Sequence, residues 1–143
     1  MVARNSSKVP PRCLTLLPGD SRKFEICAKP KWNDTALAMK AGERYRFVAT
    51  GEWCDASIST GPEGYVSDRW FFRLTERFRR RPSDNWFALI GAVGRDEPAT
   101  FLIGSGTVET VAVDGILNCY ANDLWLFYFN NSGAVTLEVT REH

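Results

Sequence analysis

Short segments of the chain alternate hydrophobic and polar residues with a period of two. The alternation is clear in residues 24–28 and 44–49, and it returns near the C terminus in residues 107–113 and 134–140. Because successive side chains of a β-strand point to opposite faces, this period predicts strands with one buried face. Residues 86–93 form a continuous apolar run of strand length, which is typical of a strand buried on both faces.

Turn-forming residues separate these segments. Gly, Asp and Glu lie between successive runs, as at residues 40–43 and 94–96, and residues 101–103 add one more short apolar run. Short strands at regular spacing predict an all-β fold, either an antiparallel sandwich or a barrel. Residues 67–79 are the one segment for which we predict a short helix.

The length of 143 residues fits a single domain with its own core. Hydrophobic residues make up 44% of the chain and aromatic residues 13%, which argues against a disordered chain. Residues 1–22 are polar and contain Pro10, Pro11 and Pro18. We therefore predict a loosely attached N-terminal arm over residues 1–22 and a sandwich domain over residues 23–143.

The net charge of +1 gives the chain no overall attraction to nucleic acid or to an anionic membrane. No apolar run reaches the roughly 20 residues that span a bilayer, and the N terminus lacks the apolar core of a secretory signal. We therefore predict neither nucleic acid nor membrane as a partner, and a cytoplasmic location with non-classical release left open. The basic cluster at residues 77–81 is predicted to be a solvated loop.

The reactive residue types restrict the possible chemistry. The single histidine is the C-terminal His143, which excludes Ser-His-Asp and Cys-His nucleophiles. The four cysteines are widely spaced without a Cys-x-x-Cys pair, so we predict reduced, largely buried thiols and no structural zinc site. A glycoside hydrolase would need two opposed carboxylates, and the spacing of the candidates (Glu52, Asp55, Glu63 and Asp123) singles out no acid and base. We therefore predict a protein that is not an enzyme.

The stretch from Asn122 to Gly133 carries the best candidate binding chemistry. Asp123 stands at one end of a short apolar segment, and Asn130 and Asn131 stand at the other. If the segment folds back on itself, these three side chains form one oxygen-rich pocket of the kind that Ca²⁺ prefers. The alternative is a hairpin in which the same residues serve as turn residues, and composition alone favours that alternative.

Seven pieces of the chain follow one another in a recognisable order: residues 24–28, 35–39, 41–43, 48–53, 61–64, 88–94 and 122–133. In this order they resemble the bacterial calcium-dependent galactose-binding lectins of the PA-I family, over residues 23–141. The last piece, in which Asn122-Asp123 is followed by Asn130-Asn131-Ser132-Gly133, aligns without a gap and is the most specific. The resemblance implies a jelly-roll-like antiparallel β-sandwich of the galactose-binding-domain type.

The resemblance also implies a Ca²⁺ site. Asp123, Asn130 and Asn131 would supply side-chain oxygens, and Phe127 and Asp55 would supply backbone carbonyls. Because Ca²⁺ takes about 6–8 oxygens, such a set leaves positions for two neighbouring sugar hydroxyls. The predicted cofactor is therefore Ca²⁺.

The predicted ligand is a carbohydrate, contacted by Asp123, Asn130, Leu124 and Trp125. For Trp125, stacking on a sugar ring and packing within the protein are equal alternatives. The family contacts the sugar's outer hydroxyl with a His and a Gln, and residues 65–72 contain neither, so galactose specificity is not predicted. The family also implies a homo-oligomer, since several weak sites gain avidity together. The alternative function is a structural or protein-interaction sandwich with no metal site.

Overall fold

The structure, a computed structural model, describes residues 13–143 and is built from two antiparallel β-sheets. The strands are β1 (Ser21–Cys27), β2 (Asn33–Met39), β3 (Arg44–Asp55), β4 (Ile58–Thr60), β5 (Leu89–Val93), β6 (Thr100–Leu102), β7 (Gly106–Thr110), β8 (Gly115–Ala121) and β9 (Asn131–Arg141). One sheet has the order β1-β9-β3-β4, with β7 also paired to β3, and the other has the order β2-β8-β5-β6. The predicted all-β sandwich is confirmed.

Alternating strands supply the core between the sheets. Val135, Leu137 and Val139 of β9 are buried, as are Tyr45 and Phe47 of β3, while the residues between them are more exposed. Burying one such side chain stabilises the fold by roughly 1.5–3 kcal/mol. The period of two in the sequence therefore identifies correctly which side chains of the first sheet face the core.

The second sheet is buried more completely. All five residues of β5 are buried, as the continuous apolar run predicts. The strand is shorter than the predicted residues 86–93, however, because Phe87 takes a positive φ of 61° and interrupts the extended backbone. Strand β8 is almost fully buried, and its sequence shows no alternation that would have predicted it.

The predicted helix lies between β4 and β5. Helix α1 (Trp70–Thr75) continues into a 3-10 helix (Glu76–Phe78), and no residue of either is buried. Two further 3-10 helices span Glu97–Ala99 and Tyr128–Asn130. Within residues 13–143, no helix has the length and apolar character needed to cross a bilayer.

Residues 1–12 of the predicted arm lie outside the described residues. The next residues run along the sandwich: Leu14 exchanges backbone hydrogen bonds with Ala36 and Ala38, both 2.8 Å long, and Leu16 is buried. A backbone hydrogen bond from Gly19 to Arg141 leads the chain into β1.

The long pairing of β3 with β9 positions the site. It runs from Tyr45 opposite Arg141 to Asp55 opposite Asn131. Gly133 keeps this pairing close, since it has a φ of 81° and an added Cβ would lie 3.2 Å from the Cα of Trp53. The C-terminal end of β3 and the N-terminal end of β9 therefore meet at one end of the sandwich.

Candidate metal and ligand site

Two neighbouring segments, at Asp123 and at Asn130–Asn131, converge at this end of the sandwich with a segment that is distant in sequence, at Asp55–Ala56. Asp123 follows the end of β8 by two residues, and Asn130 and Asn131 link the last 3-10 helix to β9. Asn131 donates from Nδ2 to the Oδ2 of Asp123 over 3.1 Å, and the backbone N–H of Ala56 donates to the carbonyl of Asn130 over 3.1 Å. The apolar segment does fold back and bring Asp123 and Asn131 into contact.

Asn122 fixes the backbone that leads into Asp123. Its fully buried side chain accepts a hydrogen bond from the N–H of Arg81 and donates to the carbonyls of Arg81, Asp84 and Asn85. All four bonds go to backbone atoms, so one amide holds the neighbouring loop in place. The position of the following carboxylate is therefore set by a rigid support.

A cavity of about 160 Å³ opens at the point of convergence. Five of the residues predicted from the sequence line this cavity: Asp55, Asp123, Leu124, Phe127 and Asn130. The rest of its wall is formed by Ala56, Ser57, Ile58, Arg69, Phe71, Phe72 and Trp86. Asn131 is buried beside it through its contact with Asp123.

Two amide oxygens in this region lack hydrogen-bond partners. The Oδ1 atoms of Asn130 and Asn131 are both buried, and neither accepts a hydrogen bond from any residue within 13–143. Leaving a buried acceptor unsatisfied costs about 1–3 kcal/mol. Two such oxygens beside a carboxylate form a donor set that suits a hard cation.

The electrostatics of the cavity also favour positive charge. Asp123 is 3% exposed, and burial together with the nearby Asp55 carboxylate raises its pKa to about 7. Burial also raises the pKa of Asp55, although the hydroxyl of Tyr65 donates to its Oδ2 over 2.5 Å and opposes that shift. Neither carboxylate takes part in an ion pair with a described residue. A cation would relieve both buried negative charges.

The site depends on amide and backbone oxygens as well as on carboxylates. Among residues 13–143, no group of three His, Cys, Asp or Glu side chains is placed to hold a metal. Of the four carboxylates considered for a glycoside hydrolase, Asp55 and Asp123 line the cavity, whereas Glu52 and Glu63 are exposed and do not. Glu52 instead accepts a hydrogen bond from Ser59.

The two predicted sugar contacts that follow Asp123 have different surroundings. Leu124 lines the cavity and is 8% exposed. Trp125 is not part of the cavity wall, and its ring lies 4.2 Å from the guanidinium of Arg80 and 5.4 Å from the ammonium of Lys31. The residue nevertheless remains 43% exposed, so a contact between Trp125 and a sugar stays a prediction.

Arg80 contradicts the prediction of a solvated basic loop. Its side chain is 3% exposed and forms a 2.6 Å ion pair with Glu97. The guanidinium lies against four aromatic rings, at distances from 3.4 to 5.6 Å, which we call the Arg80 cage: Trp32, Tyr120, Trp125 and Tyr128. Arg stacks well on aromatic faces because its charge is planar and weakly hydrated, and this property allows the burial.

Residues 65–72 include site residues that the sequence analysis missed. Tyr65 binds Asp55, and Arg69, Phe71 and Phe72 form part of the cavity wall. The sequence signal was present, because the resemblance places the sugar-contacting residues of the family in this stretch. Because this stretch contains neither the His nor the Gln of the family, its residues were not predicted to be site residues.

Comparison with known proteins supports the fold. No protein-family model matches the chain, and no curated protein matches it. A solved structure described as the EclA N-terminal domain, a PllA-like lectin, is similar with a TM-score of 0.65 and 22% sequence identity. The match covers 84% of this chain and 95% of that one. The likeness shows a lectin-like β-sandwich fold.

Proposed function

We propose that this protein is a carbohydrate-binding, lectin-like module whose site holds one Ca²⁺ ion. The observation that supports the proposal most strongly is the pair of buried, unpartnered amide oxygens of Asn130 and Asn131 beside the Asp123 carboxylate. Natural proteins rarely leave buried acceptors unsatisfied without a functional reason. The lectin-like fold supports the carbohydrate part of the proposal.

The proposed ion would be held by Asp123, Asn130 and Asn131 through their side chains. Backbone carbonyls of Phe127 and of Asp55, the last residue of β3, would complete the protein's share, and both residues line the cavity. The ion would supply positive charge to the two buried carboxylates and open coordination positions to a pair of sugar hydroxyls. Asp123 and Asn130 would accept hydrogen bonds from the same hydroxyls.

The cavity wall offers further contacts for a sugar. Phe71 and Phe127 have their rings 5.9 Å apart and both line the cavity, where an aromatic face can pack on the apolar side of a sugar ring. Arg69 supplies a donor for a hydroxyl or a carboxylate. Galactose specificity is not part of the proposal, because Arg69 and Phe71 occupy the stretch where the PA-I lectins contact the outer hydroxyl with a His and a Gln.

The first experiment is a calorimetric titration of the chelator-treated protein with CaCl₂, accompanied by a thermal melt. We expect saturable binding of one ion and a melting temperature that rises with calcium concentration. Asp123→Asn is expected to abolish both effects, whereas Asp96→Asn, at an exposed aspartate, is expected to leave them unchanged. No saturable binding at millimolar calcium would contradict the metal site.

The second experiment separates the sugar from the metal. A glycan array is probed with calcium and again with chelator. Binding that requires calcium supports the whole proposal, and binding that persists in chelator supports a carbohydrate module without the metal. If neither calcium nor any glycan binds, the alternative of a structural or protein-interaction sandwich replaces it.

A further inference from the structure

The helical segment over residues 70–78 exposes a row of large apolar side chains. Trp70, Leu74 and Phe78 are spaced four residues apart and are 75%, 61% and 61% exposed. A spacing of four places side chains along one side of a helix. Since no residue of the segment is buried, this apolar row is not explained by packing within the described part of the chain.

A basic row runs beside the apolar one. Arg69, Arg73 and Arg77 each precede a member of the apolar row by one residue, and all three are exposed. Residues 65–81 contain six arginines and two acidic residues, although the whole chain has a net charge of only +1. Arg80 is buried in its ion pair with Glu97 and Arg81 pairs with Asp84, so the positive charge exposed beside the apolar row is that of Arg69, Arg73 and Arg77.

The apolar row continues onto the loop that precedes β9. The ring of Phe127 lies 5.9 Å from that of Phe71 and 6.1 Å from that of Phe129. Leu126 and Phe129 are 77% and 70% exposed. Together these residues form one exposed surface, which we call the aromatic patch: Trp70, Phe71, Leu74, Phe78, Trp125, Leu126 and Phe129.

We propose that the aromatic patch docks on an anionic lipid surface. Aromatic and aliphatic side chains that enter the interface, flanked by arginines that pair with anionic headgroups, are the physical requirements of such docking. The exposed guanidinium groups of Arg69, Arg73 and Arg77 supply the complementarity to lipid phosphates and carboxylates. The proposal replaces the expectation of no membrane partner, which rested on the total charge.

The form of the patch favours lipid over a second copy of the chain. Its most exposed members project from two separate segments, and each leaves 61–77% of its surface in solvent. A rigid protein partner would need a matched cavity for every one of these projections, whereas a headgroup region adapts to them. Phe71 of the aromatic patch and Arg69 of the basic row also belong to the cavity wall. Lipid docking needs neither calcium nor sugar, however, so the two proposals are tested separately.

The test is a vesicle flotation assay on the full chain in chelator and without sugar. The vesicles are phosphatidylcholine alone, or phosphatidylcholine with phosphatidylserine. We expect binding to the anionic vesicles that weakens as salt is added. Absence of binding to either kind of vesicle would overturn the proposal.

Matched variants locate the contact. Leu74→Ser combined with Leu126→Ser is expected to lower the vesicle partition coefficient by at least about tenfold, because each leucine loses its apolar contribution. Leu17→Ser is the control, since Leu17 is 67% exposed and lies outside the aromatic patch. The carbonyl of the adjacent Leu16 accepts a hydrogen bond from Arg141, at the end of β9 opposite to the patch. An equal loss of vesicle binding in the double leucine variant and in Leu17→Ser would overturn the proposal.

Charge variants test the basic row. Arg73→Glu with Arg77→Glu is expected to abolish the preference for phosphatidylserine, and the control pair Arg22→Glu with Lys23→Glu, on β1, is expected to retain it. Light scattering after size-exclusion chromatography completes the test. A dimer that dissociates in the Leu74→Ser and Leu126→Ser protein would assign the patch to a second copy and overturn lipid docking.

Discussion

The loop from Asp123 to Asn131 lies between two buried charged clusters that differ in how their charges are balanced. In the Arg80 cage, the guanidinium has an acidic partner, two further hydrogen-bond acceptors and four aromatic neighbours. In the cavity on the other side, the Asp55 and Asp123 carboxylates form no ion pair with a described residue, although Arg69 belongs to the wall, and the two buried amide oxygens of Asn130 and Asn131 lack partners within residues 13–143. A buried charge that is internally balanced supports the fold, and one that is left unbalanced is a candidate for binding.

The largest effect is expected from Arg80→Met. The substitution leaves the cage without its charge and removes the hydrogen bond to the carbonyl of Lys31, which is 2.6 Å long. It also removes the hydrogen bond to the hydroxyl of Tyr128. With each hydrogen bond to a charged group worth about 1.5–3 kcal/mol, the expected loss is roughly 3–5 kcal/mol. The free energy of unfolding in urea measures this loss.

Arg73→Met is the matched control, because its side chain is 68% exposed. A change within about 0.5 kcal/mol is expected there. If the two substitutions cost the same, the cage does not stabilise the fold and the contrast between the clusters disappears.

The next effect concerns Asp123→Asn in metal-free protein. Because the folded-state pKa of Asp123 is raised to about 7, above roughly 3.9 in an unfolded chain, ionisation opposes folding. Stability of the wild type therefore falls as pH rises from about 4 through 7, and it stays low above pH 7. At pH 8 the variant is expected to be more stable by about 2–4 kcal/mol, with no difference near pH 4.

Urea unfolding at a series of pH values in chelator measures this difference. Identical pH profiles for the wild type and Asp123→Asn would show that the carboxylate is not destabilised in the cavity. Added calcium is expected to reverse the order at pH 8, since it binds the wild type alone.

A smaller effect is expected from Tyr65→Phe. The substitution removes the hydrogen bond to Asp55 and leaves the phenyl ring in place. The expected loss is about 1–2 kcal/mol at pH 8, because the hydroxyl of Tyr65 lowers the pKa of Asp55 and so stabilises its charged form. Thermal melts at pH 8 and pH 4 measure the loss, which is expected to be smaller at the lower pH, and a loss of equal size at both would assign the effect to packing.

The smallest effect in metal-free protein is expected from Asn130→Ala. The oxygen that it removes is buried and has no partner among the described residues. Its removal relieves a desolvation cost of about 1–3 kcal/mol, which offsets the packing lost with the side chain, so stability is expected to stay the same or to rise slightly. The rise in melting temperature caused by calcium should nevertheless decrease markedly. A variant that keeps the full calcium-induced rise would remove Asn130 from the proposed ligands.

The same contrast separates what the sequence could predict from what it could not. The strands with alternating residues, such as β9, were predictable because their period reports one buried face directly. The proximity of Asp123 and Asn131 was expected from the short segment between them, and their role as metal ligands stays a prediction.

The Arg80 cage was not predictable from sequence. Its rings come from Trp32, Tyr120, Trp125 and Tyr128, which lie in three separate parts of the chain. Local composition around Arg80 shows only consecutive arginines, which are usually solvated. Burial of a charge depends on tertiary partners, and no local pattern reports them. The register between β2 and β8 shifts between Asp34 and Ala38. This shift was not predictable either, because it also depends on tertiary partners.

The pairing of Asp55 with Asn131 has a consequence for the order of folding. The two residues are far apart in sequence, so they meet only when β3 and β9 have paired in the native register. A one-residue slip would turn the side chains of one strand to the opposite face and would dismantle the cavity. An ion held there would recognise only the finished sandwich, and we therefore expect calcium to slow unfolding while leaving the rate of folding unchanged.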